Sequence, residues 1–146
     1  MKELAWEMAE TSRTLRRHFD RRASALGVTT AQWRALAWLG HEPGLKQVEL
    51  AERLDVEPIT AGRIVDRLEE AKLVLRQPDP VDRRVWRLFL TDEAKPIFER
   101  LSALAEEMAE KVFQGLGTQE IEAMRTKLAL IRENVGRVEA EQRKSA

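Results

Sequence analysis

Three arginines crowd one tight turn in residues 79–91, DPVDRRVWRLFLT: Arg83, Arg84 and Arg87, with Asp82 just ahead of them. A guanidinium is always charged and presents a planar fork of donors, which suits phosphate oxygens and the O6/N7 edge of guanine. A second pair, Arg63 and Arg67, stands four residues apart in PITAGRIVDRLEE, the spacing that stacks two side chains on one helix face. The chemistry on offer is recognition of a polyanion. Nothing in the chain reads as a catalytic centre: there is no phosphate-cradling glycine loop and no Ser-His-Asp arrangement to place. With no Cys and only His18 and His41, a zinc site would have to be built from carboxylates, which zinc seldom accepts alone. We therefore expect no enzyme, no metal and no cofactor.

Global charge does not by itself support a nucleic-acid partner, since 25 basic residues balance 25 acidic ones. A neutral protein binds DNA only if its charges are segregated, because the field at the contact face matters more than the sum. At 146 residues the chain is long enough to bury a core without disulfide or metal. It reads as one domain spanning 1–146. No apolar run approaches the roughly 20 residues that cross a bilayer, and MKELAWEMAE lacks a signal-peptide core. These features predict a soluble, cytoplasmic protein.

The elements that must carry the arginines follow from apolar spacing. Leu4, Met8, Leu15, Phe19, Ala23 and Leu26 predict a helix over 3–26, stopped by Gly27. Thr29 and Gln32 form a capping box for a helix over 29–40. A short helix over 46–54 points Val48, Leu50, Ala51 and Leu54 inward, and Pro58 opens another over 58–71. LVLRQ at 73–77 and RVWRLFL at 84–90 predict two strands around the turn PDPVD. Helices over about 92–114 and 119–139 follow, split by GLGT, and the tail EAEQRKSA is expected to fray. The fold class is mainly α with a small β element (α+β): a winged helix-turn-helix over 29–91, flanked by dimerisation helices at 3–26 and 92–139.

In such a motif the second helix enters the major groove. If Ala61, Val65 and Leu68 face the core, the opposite face carries Pro58, Ile59, Gly62, Arg63, Asp66 and Arg67. Arg63 and Arg67 suit guanine, Ile59 a thymine methyl group. Thr60 and the free N–H groups of the first turn suit phosphate. Lys46 and Gln47, at the start of the preceding helix, complete the candidate contacts. Read alone, the helical arginines fit equally a solvated face paired with Asp66 and Glu70. Arg83 and Arg84 at a hairpin tip suit the narrow, strongly negative minor groove of A·T-rich DNA. An ordinary charged hairpin tip is the plainer alternative. An Asp82–Arg87 ion pair would hold the tip in shape.

The segment GVTTAQWRALAWLGHEPGLKQVELAERLDVEPITAGRIVDRLEEAKLVLRQPDPVDRRVWRLFLT resembles the MarR family of bacterial transcription regulators. The family's wing motif Asp-x-Arg-x-x-Arg is met at Asp82, Arg84 and Arg87, and QVELAERL, RIVDRLEE and LVLR stand in family order. LTDEAKP and SRTLRRHFD lean towards the SlyA branch. The resemblance covers 27–91 closely and the flanking helices by length and position. It implies a homodimeric DNA-binding regulator of the nucleoid, repressing from a pseudo-palindromic operator. Arg84 would enter the minor groove, Asp82 would brace the wing, and Arg63 and Arg67 would face the major groove. Three positions depart from the pattern. Lys46 replaces a small polar cap, Lys72 a usual Gly, and Gly62 a residue that is often polar.

Leu4, Met8, Val112, Phe113, Ile131 and Val135 exceed what one small core needs, which points to a two-fold dimer. The resemblance further implies release by a small aromatic acid. Arg13, Arg16 and Arg17 on the first helix with Trp33, Trp38 and His41 on the second offer aromatic walls and a cation for a planar anion. Core packing for Trp33 and a solvated face for the arginines is the plainer reading. The rival for the whole chain is a winged-helix protein-interaction module that never touches DNA.

Overall fold

The computed structural model describes residues 1–145. They divide into two compact units, residues 1–108 and the segment from 109 onward, with the boundary inside helix α5. The first unit begins with α1 (Lys2–Ala23), which tightens into a 3₁₀ turn (Ser24–Leu26) and ends at left-handed Gly27. Next come α2 (Thr30–His41), the two-residue strand β1 (Leu45–Lys46), α3 (Gln47–Leu54) and α4 (Pro58–Glu70). Strands β2 (Val74–Pro78) and β3 (Trp86–Leu90), a 3₁₀ turn (Asp92–Ala94) and α5 (Lys95–Val112) complete it. The expected winged helix-turn-helix is present. No helix among the described residues is long and apolar enough to cross a membrane.

Local chemistry accounts for each junction. Thr29 Oγ1 accepts from Gln32 N at 3.2 Å and Gln32 Oε1 from Thr29 N at 2.9 Å, the reciprocal box predicted for α2. At α3 only half of that device exists. Glu49 Oε2 accepts from Lys46 N at 2.7 Å, while the Lys46 ammonium has no lone pair to offer in return. The turn between α3 and α4 passes through left-handed Asp55 and reaches Pro58, whose missing N–H costs nothing in the first turn.

The exit from α4 resolves the Lys72 departure. Lys72 is left-handed, with φ of 60°. Leu73 N donates to Leu68 O at 2.8 Å and Lys72 N to Glu69 O at 2.9 Å, which is the Schellman pattern normally built on Gly. Thr91 then donates its hydroxyl to Lys72 O at 2.5 Å and its N–H to Leu73 O at 3.1 Å. The neighbours over-determine a backbone that a side chain disfavours by about 1–2 kcal/mol.

The sheet has the order β1-β3-β2, all antiparallel. Leu45 faces Leu88 and Val74 faces Leu90, and Leu45, Val74 and Leu88 are buried. Their layer meets Leu36 and Leu39 of α2, Leu50 and Leu54 of α3, and Val65 and Leu68 of α4 in one core. Phe19 and Ala23 of α1 and Leu101 of α5 join it. Gly40 permits close packing of α2 on α5: a Cβ there would lie 2.2 Å from the Phe98 ring. In the second unit α6 (Thr118–Ser145) starts with Gly117 N donating to Glu120 Oε2 at 2.8 Å. Its apolar residues Ile121, Met124, Leu128, Ile131, Val135 and Val138 alternate three and four apart, yet none is buried.

Several expectations need correcting. Strand β1 was unforeseen, being too short for any periodicity. β2 is shifted by one residue, losing Leu73 and gaining Pro78, and β3 is shorter than expected, because Arg84 and Val85 belong to the turn. Val48 points outward rather than inward, at 56% exposure, since Leu50, Ala51 and Leu54 already fill the inner face of α3. α6 runs to Ser145, past the expected end at about 139, as residues 139–145 are mostly good helix formers without Gly or Pro. Lys72→Gly should raise stability by about 0.5–1 kcal/mol, the relieved left-handed strain less the entropy glycine adds to the unfolded chain. The urea midpoint at unchanged m-value checks it.

Candidate nucleic-acid interface

The wing is organised by Asp79, which is not among the expected contact or bracing residues. Asp79 ends the ladder side of the turn with its carboxylate only 7% exposed. Its Oδ1 accepts from Val81 N at 2.8 Å and Asp82 N at 3.1 Å, folding the tip over the side chain as an Asx turn. Its Oδ2 accepts from Arg87 Nε at 2.5 Å, and Arg87 Nη1 donates onward to Gly44 O at 3.0 Å. One carboxylate thus ties the tip, β3 and the segment entering β1. The two backbone N–H groups and then Arg87 hold it well below the usual range, at about 2.

The expected Asp82–Arg87 pair does not form. Asp82 instead accepts from Arg84, from its N at 3.1 Å, Nε at 3.1 Å and Nη2 at 3.2 Å. The reason is register. Arg87 lies in the ladder opposite Gln77 and Lys46, beside the start of the turn where Asp79 sits, whereas Asp82 stands at the apex. Arg84 remains 90% exposed despite its partner, and Arg83 is exposed as well. Trp86 is exposed on β3. The signal for Asp79 was present as an Asp between two prolines, the composition of an Asx turn.

On α4, Ala61, Val65 and Leu68 are buried, and Pro58, Ile59, Thr60, Arg63 and Arg67 are exposed together on the other side. The alternative pairing of the arginines with Asp66 is absent. Asp66 Oδ1 and Glu69 Oε2 each accept from Arg76 of β2, both at 2.6 Å. Among the described residues Arg63 and Arg67 have no ion-pair or hydrogen-bond partner. Arg76 also donates to Gln47 Oε1 at 3.3 and 3.2 Å. Gln47, expected on the DNA side, therefore has its carbonyl oxygen committed inside the fold. Gly62 is half-buried, and a Cβ there would stand 3.2 Å from Gln47 Nε2. Lys46 is half-buried, opposite Arg87. A shallow groove lined by Thr29 and Gln32 of α2 with Thr60, Arg63 and Arg67 places the start of α2 beside the arginine face.

The expected ligand residues separate. A cavity of about 300 Å³ lies among α1, α2 and α5, walled by Phe19, Trp33, Phe98 and Leu101 with Arg16 and His41 also lining it. Trp33 and His41 line it as expected. Arg13 does not, being paired with Glu10 on the outer face of α1. Neither Arg17, which is exposed, nor Trp38, which carries the Arg53 guanidinium 5.7 Å from its ring centroid, takes part. The reason is helical phase: Leu15, Arg16 and Phe19 share the inward side of α1, and Arg13 and Arg17, four residues apart, lie together on a face turned away from it. Trp33 is fixed by Phe19, ring centroids 4.5 Å apart, and by donating from Nε1 to Asp20 Oδ1 at 2.7 Å.

Comparison with known proteins gives a consistent picture. The model of the MarR family matches residues 28–86. A solved structure of the transcriptional regulator PA3341 is 32% identical with a TM-score of 0.84, covering 92% of this chain and 98% of that one. A MarR-family transcriptional regulator from Silicibacter pomeroyi is 29% identical with a TM-score of 0.81, covering 90% and 89%. A mutant MarR from E. coli complexed with operator DNA is 24% identical with a TM-score of 0.72, covering 88% and 93%, a likeness of fold.

The depressed pKa of Asp79 fixes a pH dependence. A carboxylate whose folded value lies below its unfolded one stabilises the fold above the unfolded pKa and loses that contribution as pH falls through the folded one. Wing order should therefore hold above about pH 4 and decay between 3.8 and about 2. Asp79→Asn should remove that dependence and speed amide exchange at Val81 and Asp82, as read by NMR.

Proposed function

Because the chain belongs to the MarR family of transcriptional regulators, we propose that it binds a pseudo-palindromic DNA operator as a homodimer and represses transcription there, on the bacterial nucleoid in the cytoplasm. One observation carries this reading: α4 exposes Arg63 and Arg67 without internal partners while two of its carboxylates, Asp66 and Glu69, are engaged by Arg76. Arg63 and Arg67 read guanine edges in the major groove, and Ile59 meets a thymine methyl group. Pro58, Thr60 and Gly62 let the first turns of α4 approach the backbone, with Lys46 and the free amide of Gln47 beside them. Arg83 and Arg84 enter the flanking minor groove, Asp82 orienting Arg84 and Arg87 bracing the wing through Asp79.

The heptad-like apolar stripe of α6, exposed in the single chain, supports pairing of the segments 3–26 and 92–139 across a two-fold axis. That pairing presents two α4 helices to successive major grooves about 34–36 Å apart. The 300 Å³ cavity suits one aromatic ring with an anionic group near Arg16. Such a ligand lowers DNA affinity only to the extent that it binds the non-binding arrangement better.

Selection of duplexes from random sequence should recover a symmetric site, bound by two chains, with affinity falling steeply as salt rises. In anisotropy titrations Arg63→Ala or Arg67→Ala should each cost about 1–3 kcal/mol and relax base preference, and Arg84→Ala should weaken binding mainly where the flanks are A·T-rich. Parental affinity in all three variants would refute the assigned face. Benzoate should quench Trp33 fluorescence and release the duplex over one concentration range, and Arg16→Ala should abolish both.

A further inference from the structure

Residues 58–70 hold two cations, Arg63 and Arg67, against three anions, Asp66, Glu69 and Glu70. Left to itself that helix would be a poor face for a polyanion. Arg76 levels the balance from the neighbouring strand. Its guanidinium, 17% exposed, meets Asp66 and Glu69 at 2.6 Å each, although the two carboxylates are 59% and 45% exposed. The same group reaches Gln47 Oε1 on α3 at 3.2 Å and Gly62 O in the middle of α4 at 3.5 Å. Burial works against its charge, and the paired carboxylates more than offset that. Gly62 belongs to this arrangement, since a side chain there would crowd the Gln47 amide that Arg76 uses.

We propose that Arg76 is a positioning residue for DNA reading: it compensates two of the three carboxylates of α4, Asp66 and Glu69, and fixes that helix against α3 and the root of the wing, so that Arg63 and Arg67 meet DNA with those two anions paired. The inference rests on α4 being the DNA-contacting helix. Arg76 itself need not touch DNA. Its loss exposes two anions beside the phosphates, which lowers affinity and also reduces net counterion release, so the salt dependence becomes shallower.

The test uses the full chain and a labelled duplex selected by the parent, with anisotropy read across a salt series. Arg76→Met should bind about tenfold or more weakly at low salt, with a shallower slope of log K against log salt. Adding Asp66→Asn and Glu69→Gln to it should restore most of the affinity and the slope, a rescue that a purely structural role would not give. Asp66→Asn with Glu69→Gln in the presence of Arg76 should bind at least as tightly as the parent, and this variant decides the matter if Arg76→Met fails to fold. Parental binding by Arg76→Met, a triple variant as weak as Arg76→Met, or weakened binding by the double variant would each overturn the proposal. If the parent selects no duplex, the reading of α4 falls and this inference falls with it. If the parent binds and the rescue fails, only the role of Arg76 is lost.

Discussion

The wing hangs on one buried carboxylate. Asp79 is the single buried charged residue among those described, and burying an anion is costly unless every lone pair is used. Here the two tip N–H groups and Arg87 use them. Because Arg87 also holds Gly44 O, the constraint spreads from the hairpin tip to the segment before α3. A two-stranded hairpin is marginal in water by itself. This tie, with the layer of Leu45, Val74 and Leu88 beneath it, gives the tip a defined path and lets it carry charged side chains outward.

The same economy operates on α4. A molecule of zero net charge presents a cationic edge only by pairing the anions near that edge with other cations. Arg76 serves α4 in that way, Asp79 absorbs Arg87, and Asp82 holds only Arg84 at the apex. Arg63, Arg67 and Arg83 are left without internal partners among the described residues. Exposed ion pairs add little stability. Their value here is in choosing which charges face outward.

The order of elements was legible in the sequence because each carries its own signal. Thr29 with Gln32, Pro58, and the apolar spacing of α4 need no tertiary context. What escaped depended on register or on contacts distant in sequence. Strand β1 exists only because Leu45 meets Leu88. The partner of Arg87 follows from ladder position, so Asp82 and Asp79 could not be told apart by spacing to it. Arg76 looked like an ordinary strand residue, and its importance comes from Gln47, Asp66 and Glu69, which lie up to 29 positions away. Arg16 was one of three neighbouring arginines, and only the rotation of α1 against α2 selects it over Arg13 and Arg17. Lys72 shows the opposite case, where the sequence posed the right question and the Schellman bonds answered it.

Gly40 has a reach beyond its own helix. It packs against Phe98, and Phe98 is a wall of the cavity between α1, α2 and α5. A methyl group at position 40 would force that ring out of its place. The outline of the chamber is thus tied to a position that is not among its lining residues. Altering this one codon reshapes the room for a guest with every lining side chain kept.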